Sequence, residues 1–379
     1  MRYFLFLLFP LLLFSNPRNM DIVYGDAICM NPQPNVLEVH TNDSAILHWE
    51  DFSIYSGETT KFVQPNAQSI VLNRVVSTNR SDIFGNLSAD GLVYLINPSG
   101  ILIGKTAQIH TGTFVASTLD IHDKAFLQQK KLHFMGSSKE PIIHLGRIKA
   151  RDGSVYLIGF HVENHGAIEA EGGACGLVGC EEILLKPKEN ILVRPYSYPV
   201  DDPVLVHDLL DEENIYSRAF YHPTQDYFDD FAMEQTKVLH EGSLKVTNDK
   251  ESTAFLFADF VEVVKGSTID VSSPFGNGNV FIGGDYHGIN PDIPNAMLTF
   301  IDQETLINAN ARENGDGGRV VIWADWATSF HGKVEACGGK HGGNGGLVQI
   351  SGDAFLDFQG LVDTRAEKGC SGTLILNSH

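Results

Sequence analysis

Two Gly-flanked stretches hold residues whose types could do chemistry. In "GGDYHG", Asp285 and His287 stand two apart, which in a strand turns both side chains to the same side. In "GDGGRVVIWADW", Asp316, Arg319 and Asp325 follow one another closely. Carboxylates and basic groups converging on one groove are what a polysaccharide lyase or hydrolase uses as acid, base or charge stabiliser. Turn-forming Asp explains both stretches more simply, because each lies among glycines. GxSxG, HExxH and P-loop patterns are absent from the sequence. His40, His48 and the other histidines show no ligand spacing, and "GGKHGGNGG" lacks the Asp of Gly-rich calcium repeats. The expectation is a protein without catalytic residues, metal or cofactor, with a β-helical carbohydrate-active enzyme as the alternative.

The elements that would position such residues repeat one phrase: Gly-x-aliphatic-x-small, a turn, then a short alternating strand. It is seen in "GNLSADGLVYLI" from Gly85, "GRIKARDGSVYLIG" from Gly146 and "GAIEAEGGACGLVG" from Gly166. It returns from Gly242, Gly266, Gly332 and Gly360. Gly146 to Gly166 is a step of 20 and Gly332 to Gly360 a step of 28, the imperfect period of a solenoid. Apolar residues alternate at period two, as in half-buried strands, and no ten-residue segment carries a clean helical stripe. One rung alone cannot bury its inward Ile, Val and Leu, so rungs must stack. A β-sandwich or barrel also has many short strands, but has no reason to repeat one phrase seven times. At roughly 22–25 residues per rung, about 15 rungs and a rod near 70 Å are expected. The 37 glycines point to many tight turns, and the glycines and Asp-Gly pairs of the repeat are read as sitting where the chain must turn with φ > 0.

Composition narrows the partners. A hydrophobic content of 43% supplies a large core, and a net charge of −20 over 379 residues argues against nucleic acid or an anionic membrane. Arg2 followed by an apolar run from Phe4 to Phe14 and by Ser15-Asn16-Pro17 reads as a signal peptide over 1–15, engaging the Sec machinery. Five cysteines, Cys29, Cys175, Cys180, Cys337 and Cys370, match no zinc pattern and are read mostly as small buried residues, with one local Cys175–Cys180 bridge left open. Between Asp201 and Glu234 lie ten acidic residues and one basic residue, Arg218, which reads as a solvated loop over 198–235 leaving the rod.

At "FVQPNAQSIVLNRV" and "NPSGILIGKTAQIHTGTFVASTLDI", the chain resembles the N-terminal secretion domain of filamentous-haemagglutinin-like exoproteins, which use two-partner secretion. The family's second motif, Asn-Pro-Asn-Gly-Ile, is matched by Asn97, Pro98, Ser99, Gly100 and Ile101, with Ser in place of Asn. Gln64, Pro65, Asn66 and Ala67 occupy the place of the first, Asn-Pro-Asn-Leu, as in the branch resembling high-molecular-weight adhesins. "AILHWEDFSI", "GGDYHG" and the segment from Gly315 to Gly346 also resemble the family, so the likeness runs over 16–379.

The resemblance implies a right-handed parallel β-helix with capping strands and first rungs over 16–125, a small β-excursion, and further rungs over 236–379. It implies an outer-membrane transporter whose periplasmic POTRA domains bind the domain, release to the medium or the bacterial cell surface, and a role in adhesion or haemagglutination. The receptor, host-cell or glycan, is fixed by no residue. Each Asn-Pro or Gln-Pro tetrapeptide is also a rigid corner in its own right, because proline fixes φ. The chain stops at "GTLILNSH" with no room for a membrane barrel, which sets it apart from an autotransporter passenger. It reads as a minimal, split or truncated exoprotein.

Overall fold

The computed structural model describes residues 16–194, 235–248 and 251–378. The leader expected over 1–15 lies outside the described residues, as does the acidic loop expected over 198–235 except for Gln235.

Parallel strands stack on three faces. The first face runs from Val36–Thr41 to Leu361–Asp363, the second from Ser44–Asp51 to Thr373–Asn377, and the third from Ser81–Ile83 to Phe355–Phe358. The chain visits them in that order and then starts the next rung, which makes a β-helix. Two strands, Arg147–Gly159 and Ala167–Gly179, bend round the first corner and belong to two faces. Inward residues form ladders: Leu87, Ile109, Ile148, Ile168, Leu244, Ile269, Ile307 and Val334 stand in register on the first face and are fully buried. This is the aliphatic position of the repeated phrase.

The stack is shallower than the repeat suggested. Eleven described strands stack on the second face, giving a rod of about 50 Å at the usual inter-strand spacing. Bare rungs are as short as expected, since Val155 pairs with Cys175. Three rungs take long detours instead, between the partners Phe114 and Val155, Cys175 and Ala254, and Val280 and Val320.

The repeat glycines also serve a purpose other than the one expected. Of those at 85, 146, 166, 242, 266, 332 and 360, Gly266 alone has positive φ. The corner needs close approach: a Cβ on Gly146, Gly166, Gly242 or Gly360 would lie 2.5, 2.3, 2.1 or 2.4 Å from the carbonyl oxygen of the glycine one rung earlier.

The N-terminal end is closed by antiparallel strands. Arg18–Tyr24 pairs with Ser44–Asp51, and Ala27–Gln33 with Val36–Thr41. An excursion then covers the outer surface of the second face. It consists of the helical turn Asp123–Gln128 and the antiparallel strands Leu132–Met135, Glu182–Lys186 and Ile191–Val193. Its Phe126, Leu132, Phe134, Ile183 and Leu185 bury Tyr94, Val115 and Tyr156 from outside, so this face has a second apolar core. The six-residue helix is too short to show a 3.6-residue period in sequence.

All five thiols are free. Cys175 is buried, Cys180 and Cys337 are partly exposed, and Cys29 and Cys370 are exposed, so the Cys175–Cys180 bridge does not form and most of the thiols are not core residues. Among the described residues, no helix is long and apolar enough to cross a membrane.

Candidate functional site: two anchored corners

The two proline tetrapeptides occupy different corners of successive rungs. Gln64–Ala67 joins the first-face strand Thr59–Val63 to the second-face strand Ile70–Val75. Asn97–Gly100 joins Leu92–Ile96 on the second face to Ile101–Ile103 on the third.

Both are built alike, with a buried amide anchor and an exposed tip. Asn97 is fully buried. Its Nδ2 donates to the Asn79 carbonyl and to Ser81 Oγ, both at 2.9 Å, and its Oδ1 accepts from the Ser99 N–H at 2.9 Å. The Gly100 N–H closes the turn onto the Asn97 carbonyl, and Gly100 sits at φ +96°, a conformation an L side chain resists. Ser138 Oγ donates to the Pro98 carbonyl, so the excursion rests on this corner, while the Pro98 ring stays exposed. Gln64 is buried as well. Its Oε1 accepts from the Gly91 N–H of the next rung at 2.8 Å and its Nε2 donates to the Ser69 carbonyl. Pro65, Asn66 and Ala67 are exposed, with Asn66 Nδ2 donating to Asp43.

The anchor geometry makes a prediction about stability alone. Asn97→Ala strands the buried Ser81 hydroxyl and frees the turn, and is expected to cost about 2–3 kcal/mol. A urea titration that leaves the midpoint unmoved would contradict the anchoring.

Sequence reasoning missed the residues that hold the first corner and the excursion from neighbouring rungs. Asp43 accepts from Asn66 and from Ser69 Oγ. Arg74 ties the excursion down, donating to Asp120, Asp123 and the Ile121 carbonyl and lying 3.0 Å from His48. Their partners lie 23 to 49 residues away, too far for any local pattern to reveal.

The carboxylates considered for catalysis are each held in a separate hydrogen-bond network. Asp285 and His287 do not share a strand face: Tyr286–Gly288 is a 3-10 turn, with His287 at φ 57°. Gly283, Gly284 and Gly288, all at positive φ, let this turn fold against Trp323. Asp285 accepts from the Tyr286 N–H, Asn290 and Arg319. Asp325 accepts from Trp323 Nε1 and Asn295, and burial raises its carboxyl above the usual range. Asp316 is exposed and accepts from the Asn344 N–H. These three carboxylates share no hydrogen-bond partner. Among the described residues, no cluster of three or more His, Cys, Asp or Glu could hold a metal ion.

Comparison with known proteins points to one family. Residues 32–185, which hold both corners and the first rungs, match the TPS secretion domain. Over these residues the chain is similar to a TPS secretion domain. The crystal structure of the HMW1 secretion domain from Haemophilus influenzae is similar over 96% of this chain and 100% of that one, with a TM-score of 0.59 and 25% identity. The heme/hemopexin-binding protein of Haemophilus influenzae strain Rd is 32% identical over 162 residues, 41% of this chain and 18% of that protein. A second heme/hemopexin-binding protein from that species is 33% identical over 106 residues, 28% of this chain and 11% of that protein. The chain thus spans less than a fifth of the length of the curated relatives it matches. A TPS secretion domain belongs to a secreted exoprotein that passes through the periplasm and has an outer-membrane transporter as its partner.

Proposed function

We propose that this chain is a non-catalytic exoprotein whose corners at Gln64–Ala67 and Asn97–Ile101 present the surface that the transporter's POTRA domains recognise. The Sec machinery delivers it to the periplasm by way of residues 1–15. The chain then crosses the outer membrane unfolded, and its rungs stack outside, at the cell surface or in the medium. Adhesion or haemagglutination is the downstream role.

The observation that carries this reading is the shared build of the two corners inside the matched domain. Each has a buried amide holding an exposed proline tip clear of the ladders. The non-catalytic part rests on the separate hydrogen-bond networks of Asp285, Asp316 and Asp325.

Expression in a diderm host with and without the cognate transporter tests the proposal. Export is expected to depend on the transporter and to fall at least tenfold when Asn97 and Pro98 are both changed to Ala. Pro98→Ala alone separates recognition from stability, because the anchor stays in place. Export without the transporter, or export indifferent to both changes, would refute it.

The name shared by the two curated relatives favours a second reading of the downstream role, in which the exported chain binds heme or hemopexin. Retention on immobilised heme or hemopexin, without any gain in cell attachment, would select it over adhesion.

A further inference from the structure

One ladder inside the rod is polar. On the third face the inward position reads Ile83, Ile103, His144, Asn164, His240, Val263 and Ile301 in consecutive rungs, all fully buried. Three polar side chains thus replace aliphatic ones in the middle of an apolar column.

Their hydrogen bonds fix every proton. His240 Nε2 lies 3.2 Å from the Thr268 carbonyl and must donate to it. His240 Nδ1 is then a bare lone pair, and it accepts from Asn164 Nδ2 at 3.0 Å. Asn164 Oδ1 faces His144 Nδ1 at 2.7 Å, so that nitrogen carries the proton. His144 Nε2 is left as a lone pair, buried and without a partner among the described residues. The chain is complete only while both imidazoles are neutral. A proton on His240 Nδ1 would set N–H against N–H. A proton on His144 Nε2 would put a charge in the apolar core on an atom that makes no hydrogen bond there.

We propose that the His144–Asn164–His240 column is a seam that acid opens, parting the rungs up to Ala167–Gly179 from those that begin at Lys237–His240. The seam falls just past the end of the matched secretion domain at residue 185, and the Asn164–His240 contact joins residues 76 positions apart in sequence.

The surroundings fit this use. The strands carrying the column and those beside it contribute Ile142, Val162, Val238, Ile148, Ile168 and Leu244 to the interior, none of which can solvate a charge. The nearest other titratable group is His165, on the outside of the same corner. It is hydrogen-bonded to Glu163 and Glu241, and Lys265 pairs with Glu241. Burial pushes both column imidazoles down to about 4 from an ordinary 6.5. A depressed histidine leaves the folded state fully stable above the unfolded value of 6.5. Stability then falls as the pH drops from there toward 4, because the unfolded chain binds the protons first. Each group can shift the folding equilibrium by about 300-fold across that window.

Hydrogen exchange on the full chain, expressed as protection factors between pH 7 and pH 4, tests the seam. Protection in Ile142–His144, His161–Asn164 and Lys237–His240 is expected to fall at least tenfold further than in the remote third-face strand Leu298–Ile301. The variant His144→Leu/Asn164→Leu/His240→Leu restores an aliphatic column, and its exchange is expected to show no such local loss. Uniform loss in the native chain, or the same local loss in the variant, would overturn the proposal. Should the variant fail to fold, imidazole NMR titration of the native chain decides. Two rings that stay neutral until the rod opens support the seam, and two that titrate near 6.5 in an intact rod overturn it.

Discussion

Gly242→Ala is expected to lose about 4 kcal/mol or more, enough to leave the later rungs unstacked. The added Cβ would lie 2.1 Å from the Gly166 carbonyl oxygen, with the Gly166 nitrogen and carbonyl carbon at 2.9 and 3.0 Å. All three are backbone atoms of the bend residue that leads into Ala167–Gly179, a strand fixed by its own neighbours, so no side chain can swing aside. Relief would require the rungs to separate at the corner, and that breaks the pairings of Ala167–Gly179 with Ser243–Thr247. Gly136→Ala is the matched control. Its Cβ would meet Leu119 Cδ2 at an ordinary 3.4 Å, and a change within about 0.5 kcal/mol is expected. Denaturant melts of the two variants, side by side, check the argument. Equal midpoints would show that the repeat glycines are not there for close approach.

Phe126→Ala should be nearly as severe, but local. The ring is fully buried in the second core and meets Tyr94 edge to face, with centroids 5.2 Å apart. It lies on the helical turn of the excursion, so its loss empties the space between that turn and the second face. A cost of about 3–5 kcal/mol follows from removing a buried aromatic. Exchange should rise first in Leu132–Met135 and Glu182–Lys186, while the inner ladder at Ile148 and Ile168 stays protected. Simultaneous loss in both places would mean that the two cores form one cooperative unit.

How much of this could be read beforehand depends on how local the cause is. The inward aliphatics of the repeated phrase were legible because a strand alternates residue by residue, and Leu87, Ile148, Ile168, Leu244 and Val334 all fall on one ladder. Both proline corners were legible too, since Pro65 and Pro98 fix their own backbone. The number of rungs was not, because in the detours from Phe114 to Val155 and from Cys175 to Ala254 only the last part, from Gly146 and from Gly242, carries the repeat. The Asp285–His287 reading failed at Gly283 and Gly284, which end the strand and fold the chain into a turn. The column His144–Asn164–His240 is invisible in sequence: its members are 20 and 76 residues apart, and each alone looks like an ordinary polar residue beside a turn.

The long detour between Cys175 and Ala254 sets a folding order. Most rungs close a loop of 20 to 28 residues when a strand lands on its predecessor, but Ala254 must find Cys175 across 79. Chain-closure entropy grows with the logarithm of loop length, so this one landing is about 1 kcal/mol harder than a bare rung's. Rungs before it can stack as quickly as the chain is supplied, and rungs after it wait for that contact. Refolding should therefore show an early phase confined to residues before 180 and a later one that brings in the rest. Shortening the connection between Arg194 and Gln235, which leaves the excursion strands Glu182–Lys186 and Ile191–Val193 in place, should speed the second phase and leave the first unchanged.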